Sequence, residues 1–250
     1  MLLSPSVSDR NTDPPAGPSE RYASLISLAV HELRTPASVV GGYLRMLQRD
    51  TEDGLGDPQR RMVEEAEKSL GHMVMLVNQL SELAKLETGT AAVREESFDL
   101  FRILAEVAAD VHEAEDRGVQ LRVDGAADGV RLVGDGTRCR VAIAALLRAV
   151  LREQPAATVV VADRRRATIG GSATALVVIA RQVDLARAAD IDAATAPFDE
   201  LRGGLGLALP IARLVVERLG GRLWSPLAGD TDPASRGAIV LSMTTEEPRH

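Results

Sequence analysis

The reading of this chain turns on the stretch Ser27-Leu28-Ala29-Val30-His31-Glu32-Leu33-Arg34-Thr35-Pro36. It lies inside a helical pattern, with apolar residues at Tyr22, Ile26, Ala29, Leu33, Ala37, Val40, Leu44 and Leu47, three or four apart. Gly and Pro chemistry then breaks the helix across Thr51-Glu52-Asp53-Gly54-Leu55-Gly56-Asp57-Pro58. A second helix follows, with Met62, Ala66, Leu70, Met73, Val77, Leu80 and Leu83 on one face, and ends near Thr88-Gly89. The two helices predict a long antiparallel hairpin whose apolar stripe exceeds what it can cover alone. Pairing with a second copy into a four-helix bundle resolves that, so a homodimer is expected.

The chemistry of the quoted stretch follows from its spacing. Imidazole is largely neutral near pH 7 and nucleophilic at nitrogen, which makes His31 a phosphoryl acceptor candidate. Glu32 stands beside it and can take a proton. Thr35, four residues on, brings its hydroxyl to the same helix face. Pro36 lacks an N–H, so the Glu32 carbonyl loses its helical partner and a local kink is expected. His72, His112 and His250 have no such surroundings and read as ordinary structural or surface histidines.

Outward from the hairpin, residues 1–19 hold four prolines with Ser, Asp and Gly. They are read as a disordered tail that cannot offset its ordering entropy. After Gly89 the period changes. Phe98-Asp99-Leu100 reads as a short strand, Leu104 to His112 as a helix, and Val119 to Val123 and Val130 to Val133 as strands. Thr137 to Leu151 reads as a helix, and Ala157 to Ala162 and Ala175 to Val183 as strands. Leu207 to Leu219 is a further helix, with Gly221 to Trp224 and Gly237 to Met243 as closing strands. Strands with segregated helices indicate an α+β class. Arg164-Arg165-Arg166 reads as the solvated cap of a hairpin, while Cys139 and Trp224 read as packed residues.

Acidic residues outnumber basic ones, 36 to 29, for a net charge of −7. Nucleic-acid binders normally show a basic excess, so that class is set aside. A single cysteine excludes an internal disulfide. No apolar run reaches the ~18 residues a membrane-spanning helix needs. No secretory pattern opens the chain. A cytoplasmic protein without its own membrane anchor is expected.

His31-Glu32-Leu33-Arg34-Thr35-Pro36 resembles the histidine box of two-component sensor histidine kinases, and the hairpin resembles their dimerisation and phosphotransfer domain (residues 20–90). Residues 95–245 resemble the family's catalytic and ATP-binding domain, an α/β sandwich. The resemblance implies phosphorylation at His31 and assistance from Glu32. It also implies that Thr35 positions water to dephosphorylate a response regulator, and that ATP and Mg²⁺ are cofactors. The partner is the regulator's receiver domain, whose aspartate exchanges the phosphoryl group with His31.

The nucleotide motifs depart from the family pattern. Where the family has Asn-Leu-Leu-x-Asn-Ala, this chain reads Ala145-Leu146-Leu147-Arg148-Ala149-Val150, so the oxygen that would ligate Mg²⁺ is missing. No protein metal ligand is therefore assigned. Arg152 keeps the family's basic position. The Asp-x-Gly-x-Gly box has no glycine counterpart between residues 173 and 202, and Asp184 is the nearest carboxylate to the adenine-gripping position, with Arg181 the alternative under a gap. Arg202-Gly203-Gly204-Leu205-Gly206-Leu207 resembles the family's last glycine box. Its Gly203, Gly204 and Gly206 let backbone N–H groups approach phosphates before a helix. Pro197-Phe198 resembles the Phe box, close enough that the ATP lid is short. Three functions stay open: an active kinase; a kinase-dead phosphotransferase or phosphatase, in which ATP binds weakly or not at all; and a dimeric adaptor. An intact histidine kinase acting in trans is a further source of phosphate for His31.

Overall fold

A computed structural model describes residues 18–49, 55–92, 94–190, 196–202 and 204–245. Residues 1–17 of the expected tail, and residues 51–54 of the expected turn, lie outside them. Pro18 and Ser19 already belong to helix α1 (Pro18–Arg49), which therefore starts ahead of Tyr22 and continues through Pro36. Helix α2 (Asp57–Thr88) takes in Asp57 and Pro58, residues expected in the break. Proline is tolerated in a helix's first turn, where an N–H has no partner to lose. At the other end Gly89 adopts φ 72° and donates its N–H to the Leu86 carbonyl, a left-handed cap suited to glycine.

The helices run antiparallel in a register fixed by side chains. Arg34 Nη2 donates to Asn78 Oδ1 at 3.0 Å, and Gln48 Nε2 to Glu67 Oε2 at 2.7 Å. Between those pairs, Gly41 faces Leu70. Val30, Ala37, Val63, Val77 and Ala84 are buried along the hairpin.

Beyond the hairpin lies a six-stranded sheet of order β2-β4-β5-β8-β7-β6. Its strands are β2 (Gln120–Gly125), β4 (Val159–Ile169), β5 (Ser172–Arg181), β6 (Ala196–Pro197), β7 (Gly221–Ser225) and β8 (Ile239–Thr244). Only β2 and β4 pair in parallel. A separate ribbon pairs β1 (Glu96–Asp99) with β3 (Arg131–Gly134). Helices α3 (Leu100–Asp110), α4 (Gly136–Arg152) and α6 (Ala208–Arg218) share one core with Val160, Ala162, Val177, Ile179 and Leu241 of the sheet. The alternate residues Leu176, Val178, Ala180 and Val240 pack with Trp224 in a second cluster, joined by Leu185 of the short helix α5 (Leu185–Ala188). Alternating strand residues point to opposite faces, so one sheet supplies both cores.

Two of the boundaries that differ from the sequence expectation have a local cause. Helix α3 starts at Leu100 because Asp99 caps it, accepting from the Phe101 and Arg102 amides at 3.0 and 3.1 Å. Arg164-Arg165-Arg166 lies within β4, where each residue pairs with one of β5, and does not cap a hairpin. The turn is Gly170-Gly171, with φ of 60° and 83°, the positive values that a tight hairpin turn requires. Arg164 and Arg166 reach the Asp124, Asp128 and Gly129 carbonyls, and Arg165 pairs with Asp163, so the run is held by local polar contacts.

At the start of α4, Asp135 accepts from the Arg138 amide at 2.9 Å. The Arg138 guanidinium meets Asp135 (2.9 Å), Glu82 of α2 (2.8 Å) and the Ala92 carbonyl (2.6 Å). Burial opposes ionisation of Asp135, but the amides of Arg138 and Arg94 and the Arg138 charge outweigh it and hold its carboxyl below the usual range. Cys139 is enclosed within α4, and burial pushes its thiol up to about 12.

Candidate functional site

His31 sits one residue past Val30, which is buried against the hairpin, and Ala37 is buried one turn and a half further on. Residues 31–36 between them all face solvent. The imidazole is 77% exposed, with Nδ1 turned to Glu32 Oε1 at 3.8 Å. That carboxylate is itself 73% exposed. Thr35 is exposed one turn along, and Arg34 bridges to Asn78. The helix thus offers an open nucleophile, a carboxylate on one ring nitrogen and a hydroxyl nearby. Asn78 went unnoticed in the sequence, although the antiparallel register puts it opposite Arg34.

Among the residues expected around a nucleotide, Arg152 and Gly204 come together. Arg152 Nη1 donates to the Gly204 carbonyl at 3.2 Å, while its Nε binds Glu113 Oε1 at 2.7 Å. Gly204 and Gly206 adopt φ of 60° and 62°; Gly203 lies outside the described residues. Asp184 is buried at the end of a 3₁₀ turn (Gln182–Asp184). Its carboxylate accepts from Arg181 Nε at 2.6 Å, from Ser235 Oγ at 3.1 Å and from Arg187 Nη1 at 3.3 Å. Among the described residues these partners include neither Arg152 nor the glycines. Burial opposes the charge of Arg181, but Asp184 and Asp232 outweigh it and raise its pKa.

Arg202, which stands where the family's first glycine would be, is half-buried. It reaches Glu153 at 3.0 Å and donates to the carbonyls of Arg236 (3.3 Å) and Gly237 (2.7 Å). Its Nε is enclosed without a partner. Burial lowers its pKa, against the pull of Glu153. The carbonyls it grips follow Ser235 in α7 (Pro233–Arg236), so Arg202 and Asp184 are tied to the same segment. Ala145 and Ala149 are buried, Ala149 completely, in the larger core. At the start of α6, the Leu207 amide donates to Gln79 Oε1 of α2 at 3.0 Å. Sequence reasoning missed Gln79 and Ser235, since no local pattern links residues 128 and 51 positions from their partners, and it gave no role to Arg187, three residues past Asp184.

Residues 23–89 match the His Kinase A (phospho-acceptor) domain family. The swarming motility regulation sensor protein RssA of Serratia marcescens is 30% identical over 113 residues, 45% of this chain and 24% of that protein. The sensor protein DivL of Caulobacter vibrioides is 26% identical over 224 residues, 87% of this chain and 27% of that protein. The chain therefore spans about a quarter of the length of these relatives. Full-length ShkA, solved in complex with AMPPNP, shares the fold over 90% of this chain and 47% of its own (TM-score 0.67, 21% identity). The histidine kinase ThkA, solved with the response regulator protein TrrA, covers 92% of this chain and 64% of its own (TM-score 0.54, 14% identity). No described helix is long and apolar enough to cross a membrane. With a phosphoacceptor hairpin followed by an α/β sheet domain, the chain carries the His Kinase A (phospho-acceptor) domain at residues 23–89 and shares the fold of solved histidine kinases beyond it.

Proposed function

We propose that His31 carries a phosphoryl group and exchanges it with the aspartate of a response-regulator receiver domain, in the cytoplasm and in a homodimer built on the hairpin. The observation that carries this is the exposed imidazole with Glu32 on its Nδ1 side, which leaves Nε2 open to phosphorus. In the exchange the Nε2 lone pair attacks the aspartyl phosphate. The N–P bond forms as the P–O bond breaks, and the aspartate carboxylate leaves. Glu32 stabilises the proton on Nδ1 and the positive charge the ring gains. Thr35 positions water for hydrolysis of the regulator's aspartyl phosphate.

A specific set of contacts favours a second point: this chain's own ATP-binding-like domain is a poor source of the phosphate. Ala149 offers no oxygen to Mg²⁺ and is sealed in the core. The Asp184 carboxylate is engaged by two arginines and a serine, and Arg202 ties the glycine turn to the 236–237 backbone. The Leu207 amide, at the helix end where a phosphate would sit, already donates to Gln79. These residues do not fit Mg–ATP. Losing one charged hydrogen bond costs ~1.5–3 kcal/mol, roughly ten- to a hundredfold in affinity. The phosphate then comes from a phosphorylated receiver or an intact kinase in trans.

Labelled ATP and a labelled phospho-receiver, each tested beside His31→Ala, separate these points. Label is expected on the wild type from the receiver and is lost in His31→Ala; label surviving in the variant sinks the site. Calorimetry with an ATP analogue is expected to give weak, magnesium-indifferent binding. A metal-dependent Kd below about 10 µM overturns the second point.

A further inference from the structure

We infer that Gln79 is a latch between the two halves of the molecule, which parks the α/β domain on α2 at the height of His31. Helix α6 has no capping side chain of its own: Leu207 occupies its N-cap, and the amide there donates to the Gln79 carboxamide oxygen at 3.0 Å. A helix N-terminus normally finds its acceptor in a nearby Ser, Thr, Asp or Asn; here the acceptor lies 128 residues away on another element. The fit around the bond is close. A Cβ on Gly206 would lie 2.7 Å from Leu76 Cδ2 and 3.0 Å from Gln79 Oε1, so a side chain there would push both aside. Two further ties flank it on the same stripe of α2: the Glu82–Arg138 ion pair at 2.8 Å, and the Arg218 guanidinium donating to the Leu86 carbonyl.

The height follows from the hairpin register. Arg34, three residues past His31, bonds to Asn78, so Gln79 stands beside the phosphoacceptor segment and Glu82 a turn beyond. A receiver that brings its aspartate to His31 along this stretch meets the parked domain. Undocking exposes the hairpin flank, and it breaks the Leu207–Gln79 bond. The bearing on His31 rests on the phosphotransfer reading above, whereas the latch itself does not.

Amide exchange on the full chain tests the latch. Gln79→Ala is expected to speed exchange of the 205–209 amides about tenfold, with β4 and β5 unchanged, since exchange reports local opening. Gln79→Glu keeps an acceptor oxygen and is expected to retain wild-type protection. Wild-type exchange in Gln79→Ala, or equal loosening in both variants, overturns the latch. The second arm follows label arriving at His31 from a phosphorylated receiver domain, expected to be several-fold faster in Gln79→Ala. An unchanged rate alongside faster amide exchange overturns the gating. Exchange that responds while no variant takes label sinks the phosphotransfer reading and leaves the latch standing.

Discussion

The hairpin and the sheet domain treat apolar and polar side chains in opposite ways. On the hairpin, Leu33, Val39, Val40, Tyr43, Met46, Leu47, Met62 and Met73 are all exposed, Tyr43 by 62%. In the sheet domain, Phe101, Leu104, Leu146, Leu147, Ile179 and Ile239 are almost wholly buried. Polar groups show the reverse. The hairpin leaves its histidine, carboxylate and hydroxyl open, whereas the sheet domain ties Asp184, Arg181, Arg202 and Glu153 to one another and to its backbone. The hairpin is half of an interface carrying a reactive group. The sheet domain buries its apolar residues within itself, and these polar side chains are held in ion pairs and hydrogen bonds.

The sharpest way to break this contrast is to empty the domain's core. Phe101→Ala is expected to cost about 3–5 kcal/mol, enough to unfold that domain in thermal melts. A loss under about 1 kcal/mol means the domain is not self-supporting as argued. A charge on the hairpin tests the other side. Val40→Asp is expected to convert dimer to monomer by sedimentation while leaving the sheet domain's melting unchanged, because its target is association. Asp135→Asn is smaller, below about 1 kcal/mol, because asparagine caps a helix as well as aspartate and only the charge facing Arg138 is lost. Its sign with pH is definite. The folded carboxyl titrates below its unfolded value, so the unfolded chain binds more protons as pH falls through about 4, and stability drops there. The variant flattens that acid limb; an unaltered limb removes Asp135 from it. The smallest expected signal is at Cys139. With a thiol pushed up to about 12 and enclosed, it is expected to resist alkylation at pH 8 until the protein unfolds.

The hairpin was legible because its information is periodic and local. The spacing of apolar residues placed both helices, and six consecutive residues carried the chemistry of His31. Most strands and helices of the sheet domain were also readable, but the end of β4 was not. Three arginines look like a turn until the Gly170-Gly171 pair, whose positive φ values make the real one, is given its weight. The state of the nucleotide region was legible only in part. The missing asparagines are visible in the sequence, yet nothing local announces that Asp184 meets Ser235 51 residues away, or that Arg202 grips the Gly237 carbonyl. Such pairings are set by the order of strands in the sheet, which brings β5, β7 and β8 side by side.

Arg138 gives the molecule a mechanical property. One guanidinium is shared by the cap of α4, the flank of α2 and the backbone of the connecting segment at Ala92. A side chain with three anchors acts as a pivot pin: the linker cannot lengthen, nor α2 rotate, without pulling on α4. Strain along α2 thereby reaches α4 through this one side chain, and reaches α6 through the Leu207–Gln79 and Arg218–Leu86 bonds.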